Sequence, residues 1–428
     1  MKKIYLLGIS IIGLAATGIA QTPCDAGRYS TEIFPTVTVT NDVNYGSNTP
    51  FPSGTQLLDM DIYEPTGDTE TARPLIIWAH GGSFIGGDKT DSDVVTLSEE
   101  FAKRGYVCVS IDYRTGFFPP DSVNAIKAVI RSVQDMKAAV RYFYKDRSTV
   151  DLYKIDTTKI FVGGSSAGAI TSLHLAYFDK ECEIEPFISV STLNGLGGIE
   201  GASGNPGYSS TVHGVINLCG ALASYAYMEA GDAPVCSLHG NNDATVPYNR
   251  GIASVSGFGI MNLDGSRVIH EQAGVVGVQS NFYTYSGQDH VPYFSSPAYF
   301  DTTINFVRDF LIDQLACTDP ALVPANTPLE SVVLYPPPFC FLGVNNIAQE
   351  LSEEPYPNPS DDMITLILTD NANIDRVEVL DLFGRVLNVI NPLNSEVTIS
   401  KEDFGAGTYI LRITDYNGAY STKKIIFH

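Results

Sequence analysis

A chain of 428 residues with 44% hydrophobic and 17% charged side chains has the means to bury a large core, which excludes global disorder and leaves room for two domains. Its 48 acidic against 26 basic side chains give a formal charge of -22. That balance excludes nucleic acid or an anionic membrane surface as the natural partner, since both are held by clustered lysine and arginine.

Residues 1–20 read as an export signal: Lys2 and Lys3 precede an apolar run from Ile4 to Ala16, and Gly18-Ile19-Ala20 offers the small side chains of a cleavage site. Gln21 then begins the mature chain, and no later segment approaches the roughly 18 continuous apolar residues of a membrane helix. Seven cysteines in an exported chain point to disulfides with one thiol left over. Cys108, inside Val107-Cys108-Val109, reads as that buried thiol; Cys24, Cys182, Cys219, Cys236, Cys317 and Cys340 are left to pair in ways the sequence does not select. No C-x-x-C or H-E-x-x-H spacing occurs and the histidines are scattered, so no metal is expected.

Along the chain, residues 36–40 and 56–63 read as strands. In the second, Leu58, Met60 and Ile62 alternate with Asp59, Asp61 and Tyr63, the period of a half-buried antiparallel strand. From Pro74 the apolar runs become continuous, at 75–79, 106–111, 160–162, 215–218, 235–238 and 282–285, as suits parallel strands buried on both faces. Between them lie helical patterns. Val94, Leu97 and Phe101 stop at Gly105; Ile126, Val129, Ile130, Val133, Met136, Val140 and Phe143 recur over 121–145; Ile304, Val307, Phe310 and Leu311 recur over 300–315. The order predicts an α/β fold with a mostly parallel central sheet flanked by helices, whose ligands gather at the carboxyl ends of the strands.

Two stretches break the rhythm. Residues 191–210 hold six glycines and no periodicity, which predicts a long loop, either a lid or a solvated insertion. Prolines at 320, 324, 328 and 336–338 mark 317–350 as a linker. Beyond it, short strands at 363–368, 376–382, 386–390, 396–399, 408–414 and 422–427 make 351–428 a small all-β sandwich. The α/β unit then occupies 21–316.

The chemistry is carried by loops that follow the continuous strands. Ile160, Phe161 and Val162 lead into Gly163-Gly164-Ser165-Ser166-Ala167-Gly168-Ala169, a strand-turn-helix with G-x-S-x-G centred on Ser166. Only Ser166, and not Ser165, has glycine two places before and two after. A serine becomes a nucleophile when a histidine takes its proton, a carboxylate orients that histidine, and amides meet the oxyanion. His80-Gly81-Gly82-Ser83-Phe84 follows the 75–79 strand and offers the amides of Gly82 and Ser83, joined by that of Ala167. Asp243, in His239-Gly240-Asn241-Asn242-Asp243, follows the 235–238 strand, and His290 follows 282–285; the order Ser166, Asp243, His290 suits the mechanism. His174, His213, His239, His270 and Asp289 are the weaker candidates for acid or base. Phe84, Phe117, Phe118, Tyr248 and Tyr293 fall near strand ends, with Phe84, Phe117 and Tyr248 the candidates for substrate contact.

Together these motifs resemble the α/β-hydrolase superfamily over roughly 36–315, with greatest likeness to bacterial feruloyl and acetyl-xylan esterases and to hormone-sensitive-lipase-like carboxylesterases. In the latter group a third glycine commonly stands where this chain has Ser83. The resemblance implies a serine esterase that needs no cofactor, acting on acetyl or feruloyl esters of plant polysaccharides, with lipid or polyester chains as the alternative substrates. A non-catalytic surface adhesin on the same fold is the reading of another class. Tyr356-Pro357-Asn358-Pro359, Leu380-Asp381-Leu382-Phe383-Gly384-Arg385, Gly407-Thr408-Tyr409 and Lys424-Ile425-Ile426-Phe427 are similar to the C-terminal sorting domain of the type IX secretion system. That likeness implies export through the periplasm to the medium or cell surface, with the secretion machinery as partner; a carbohydrate-binding or adhesive module is the other reading.

Overall fold

The computed structural model describes residues 24–255, 257–328, 332, 334, 351–369, 374–381, 384–415 and 420–428. The expected export signal, Cys340 and most of the expected linker lie outside these residues.

The α/β unit runs β1 (Val37–Asn48), β2 (Gln56–Pro65), β3 (Arg73–Ala79), α1 (Ser92–Ala102), β4 (Val107–Ile111), α2 (Ser122–Ser148), β5 (Ile155–Ser165), α3 (Ala167–Tyr177), α4 (Val190–Gly195), β6 (Gly214–Leu218), β7 (Ala221–Leu222), β8 (Val235–Gly240), β9 (Arg250–Val255), β10 (Phe258–Gly265), α5 (Ser266–Val276), β11 (Ser280–Tyr285) and α6 (Pro297–Gln314). Eight strands form one sheet in the order β1-β2-β4-β3-β5-β6-β8-β11. The first two pairings are antiparallel and the rest parallel, as the alternating and then continuous apolar runs require. This is the mostly parallel sheet of an α/β-hydrolase fold.

Each central strand feeds two cores. In β3, Leu75, Ile77 and Ala79 face one apolar cluster with Met136 and Val140 of α2 and Leu173 of α3, while Ile76 and Trp78 face another with Phe101 of α1 and Phe310 of α6. The sheet is thus covered by helices on both sides, and its loops at the carboxyl ends are held by rigid strands. Among the described residues, no helix is long and apolar enough to cross a membrane.

Three features depart from the expectations. First, β7, β10 and β9 form a separate three-stranded sheet, of which β9 and β10 are a hairpin inserted between the Asp243 loop and α5 while β7 follows β6. Gly251, Gly257, Gly259 and Gly265 interrupt its sequence pattern, so no alternation announces it. Second, 191–210 is not a structureless loop. It opens with α4 and lies along α2, where Gln134 Nε2 donates to the carbonyls of Leu196 and Gly198, Arg141 holds Glu200, and Ser203 Oγ donates to Asp135. Third, Cys219 and Cys236 are buried free thiols like Cys108, and do not pair. The register sets Ile216 of β6 beside Cys236 of β8, so Cys219 lies three positions further along, roughly 10 Å away and outside disulfide reach. Cys24 is bonded to Cys317, 293 positions later, and Cys182 is also disulfide-bonded.

The C-terminal segment holds β12 (Met363–Ile367), β13 (Ile374–Leu380), β14 (Val386–Ile390), β15 (Glu396–Ser400), α7 (Lys401–Phe404), β16 (Gly407–Asp415) and β17 (Tyr420–Phe427). A four-stranded antiparallel sheet, β14-β13-β16-β17, and the pair β12-β15 enclose a core that includes Ile364, Leu366, Val377, Leu411 and Ile425.

Candidate active site

The turn between β5 and α3 holds Ser166 at φ 55° and ψ -113°, a conformation that costs about 1–3 kcal/mol for a side-chain-bearing residue. Close packing enforces it. A Cβ on Gly168 would stand 1.9 Å from the Ala79 carbonyl oxygen, and one on Gly164 would stand 2.5 Å from the same atom. The two glycines let α3 seat against β3, and the chain between them is forced to present Ser166. Ser83, Phe84, Cys219 and Val291 share positive φ values in neighbouring loops, so strain is concentrated at this end of the sheet.

Ser166 Oγ lies 2.7 Å from His290 Nε2, and His290 Nδ1 lies 2.5 Å from Asp243 Oδ2. The Asp243 side chain is fully buried and its carboxylate takes four donors. Oδ1 accepts from the amides of Thr245 at 2.8 Å and Val246 at 2.9 Å, while Oδ2 accepts from His290 and His239. Burial pushes the carboxyl upward, but the hydrogen bonds and charge of the two histidines outweigh it and hold Asp243 well below the ordinary carboxylate range. The carboxylate form is thus the favoured one. His290 therefore carries its proton on Nδ1 and leaves Nε2 free to accept from Ser166.

The expected oxyanion donors meet around the same serine. Gly82 at φ 108° and Ser83 at φ 56° swing the backbone so that the Gly82 carbonyl accepts from Ile85 and Gly86, facing away. Gly81 is spent, since its amide donates to Asp93 Oδ2. Among the described residues, the amides of Gly82, Ser83 and Ala167 donate to no protein group. Gly82 and Ser83 line one polar cleft with Ser166 and His290, and Ser83 and Ala167 line an apolar cavity with Ser166.

The other candidates fall into place by their partners. Asp289 accepts from the amides of Ala244 and His290, bracing the two loops against each other. His213 caps the start of the 160–162 run, accepting from the Ile160 amide, and His270 bonds Ser280 beside Phe282. Phe84 and Phe117 line the apolar cavity. Tyr248 does not line either space: its hydroxyl is paired with Thr284 Oγ1 at 2.7 Å and its ring stands edge-on to His239. Tyr293 is likewise buried, bonded to Ser165 Oγ, and Phe118 points outward at 71% exposure. Cys219, Asp243 and His290 bring possible metal-ligating atoms within 4.8 Å of one another, but the carboxylate and imidazole are spent on each other. Burial, with the charge of Asp243, pushes the Cys219 thiol up to about 12, so it stays neutral.

His239, only a weaker candidate for acid or base in the sequence, instead holds Asp243 from its other side. It sits at the end of β8, fully buried, with Nε2 facing two acceptors, Asp243 Oδ2 at 3.1 Å and the Val246 carbonyl at 3.2 Å, so that nitrogen carries the proton. Nδ1 meets Ser266 Oγ at 2.7 Å, and Ser266 is held by Asn217. By bonding Oδ2, His239 helps to fix the carboxylate that faces His290. Replacing His239 with Leu strips Asp243 Oδ2 of one of its two donors and is expected to lower kcat/KM by about tenfold, whereas Gln, which keeps a donor, should lose less. Equal activity of the two variants would reduce His239 to packing.

With this geometry in hand, the comparisons with known proteins are as follows. Residues 60–194 match the family model described as BD-FAE, an esterase-like α/β-hydrolase family, and residues 354–428 match the secretion system C-terminal sorting domain. The sorting domain marks the chain for secretion or export to the cell surface. Carboxylesterase 3B of Mus musculus is 31% identical over 130 residues, 29% of this chain and 22% of that protein, so the chain spans about a fifth of the length of that curated relative. Among solved structures, the apo form of Thermogutta terrifontis esterase 2 is 19% identical with a TM-score of 0.48, covering 65% of this chain and 95% of that one. Its propionate-bound form is 20% identical with a TM-score of 0.47, covering 67% and 97%.

Proposed function

We propose that the protein is an exported serine esterase that hydrolyses carboxylic esters through an acyl-enzyme. The observation that carries this reading is the continuous chain Ser166 Oγ, His290, Asp243 beside unspent amides at the carboxyl ends of β3 and β5. His290 Nε2 takes the Ser166 proton as Oγ attacks the ester carbonyl. The amides of Gly82, Ser83 and Ala167 stabilise the oxyanion, each worth about 2.7–4 kcal/mol of barrier. The tetrahedral adduct collapses as His290 returns the proton to the leaving alcohol. Water, deprotonated by the same nitrogen, then repeats the addition and frees the acid. Asp243 stays ionised throughout and supports the imidazolium.

In this reading residues 21–316 are the catalytic domain, 317–350 a linker and 351–428 the address read by the secretion machinery. The BD-FAE match supports acetyl or feruloyl esters of plant polysaccharides as substrates. Lipid or polyester-type esters are the second reading, and the apolar cavity beside Ser166 favours them. A fluorophosphonate probe separates an esterase from an adhesin on the same fold. The full chain should become labelled on the peptide carrying Ser166, and an unlabelled, folded protein would end the esterase reading.

A further inference from the structure

Two spaces open from Ser166, and they differ in chemistry. The first runs between α2, α3 and the β9–β10 hairpin. Ala167, Ile170 and His174 follow it along α3, a helix roughly 16 Å long, and Phe178 lines it just past the helix end. The second is an open cleft that holds Gly82, Asp91, Ser92, Asp93 and His290. Ser83, Ser166 and Thr245 line both spaces, so the reacting carbonyl stands at their junction.

The mechanism decides which half of an ester enters which space. His290 hands its proton to the leaving oxygen, and His290 lines the polar cleft and not the apolar cavity. The alcohol therefore leaves through the cleft, and the acyl part points into the cavity. There the polar side chains far from Ser166 are already engaged. His174 donates from Nδ1 to the Ile170 carbonyl at 2.7 Å and accepts at Nε2 from the Ala223 amide at 3.1 Å, and burial pushes its pKa down to about 4. The Tyr227 hydroxyl donates to the Glu183 carbonyl at 3.0 Å. Ser254, whose amide donates to the Thr245 carbonyl, stays with Thr245 at the mouth. A feruloyl phenol would find no partner at the far end, and an acetyl group would leave the cavity empty.

We propose that the acyl group is an unbranched aliphatic chain lying along α3 in this cavity, and that the alcohol is a hydroxyl-bearing, non-anionic group seated in the acidic cleft. The proposal rests on the esterase reading above. Each methylene that gains the cavity wall raises kcat/KM by about fourfold.

The test is steady-state hydrolysis by the full chain of nitrophenyl acetate, butyrate, octanoate and dodecanoate, then of methyl ferulate, methyl octanoate and octyl acetate. The expected result is a rise from acetate to octanoate of at least a hundredfold, with methyl octanoate at least tenfold ahead of both octyl acetate and methyl ferulate. Ile184→Trp, which fills the far end, should move the optimum toward butyrate; Ala253→Phe narrows the same cavity from the half-buried hairpin and serves if the first variant fails to fold. A flat or falling acyl series, methyl ferulate ahead of methyl octanoate, or octyl acetate ahead of methyl octanoate overturns the proposal while leaving the esterase reading in place. No turnover of any ester would sink both.

Discussion

Ser166→Ala lowers ester turnover by about a millionfold and leaves the fold intact. The size follows from the loss of the only atom that bonds to the acyl group, after which the amides and cavity contribute binding to an uncatalysed reaction. The fold survives because the strained turn is imposed by the contacts of Gly164 and Gly168 with Ala79, which the substitution does not touch. Alanine carries the same backbone penalty at φ 55° as serine does, so stability is unchanged to within about 1 kcal/mol. Nitrophenyl butyrate hydrolysis by the purified variant, alongside its melting curve, checks both halves. More than one part in a hundred of wild-type turnover would mean that another group is the nucleophile.

Asp243→Asn should lower kcat by roughly ten-thousandfold. The aspartate is surrounded by donors only: two amides on Oδ1 and two imidazoles on Oδ2. An asparagine has one oxygen and one NH2, so either flip turns a donor toward donors. With the NH2 toward the amides of Thr245 and Val246, the loop is pushed open. With the NH2 toward His290, the imidazole switches its proton to Nε2, the nitrogen that must accept from Ser166. Either outcome removes the base, and an activity loss smaller than tenfold would show that the carboxylate has no part in orienting it.

Ser166, Asp243 and His290, which the structure joins in one hydrogen-bonded chain, were legible because each is announced locally: an apolar run, then a short loop carrying the residue, at 160–166, 235–243 and 282–290. The parallel sheet was legible for the same reason. Other features were hidden because their signals are not local. His239 looked like the end of a strand, and its role appears only once β8 sets it against Asp243 and α5 brings Ser266 to its other nitrogen. Tyr248 has the composition of a pocket residue but is captured by Thr284, a partner 36 positions away. The β9–β10 hairpin escaped notice because glycines break its alternation, although it forms a wall of the apolar cavity. The 191–210 stretch owes its order to α2, through Gln134, Asp135 and Arg141, rather than to any pattern of its own.

The bond between Cys24 and Cys317 changes the topology of the α/β unit from a line to a ring. Every strand of the eight-stranded sheet and every helix packed on it lies inside a closed covalent circuit, while the C-terminal β segment follows it in the chain. An exopeptidase working inward from a cut anywhere beyond Cys317 would stop at the cystine, and a single cut in a surface loop would open the ring without releasing a fragment. Durability outside the cell, where proteases are encountered and no chaperone is at hand, is thereby written into the connectivity rather than into the core.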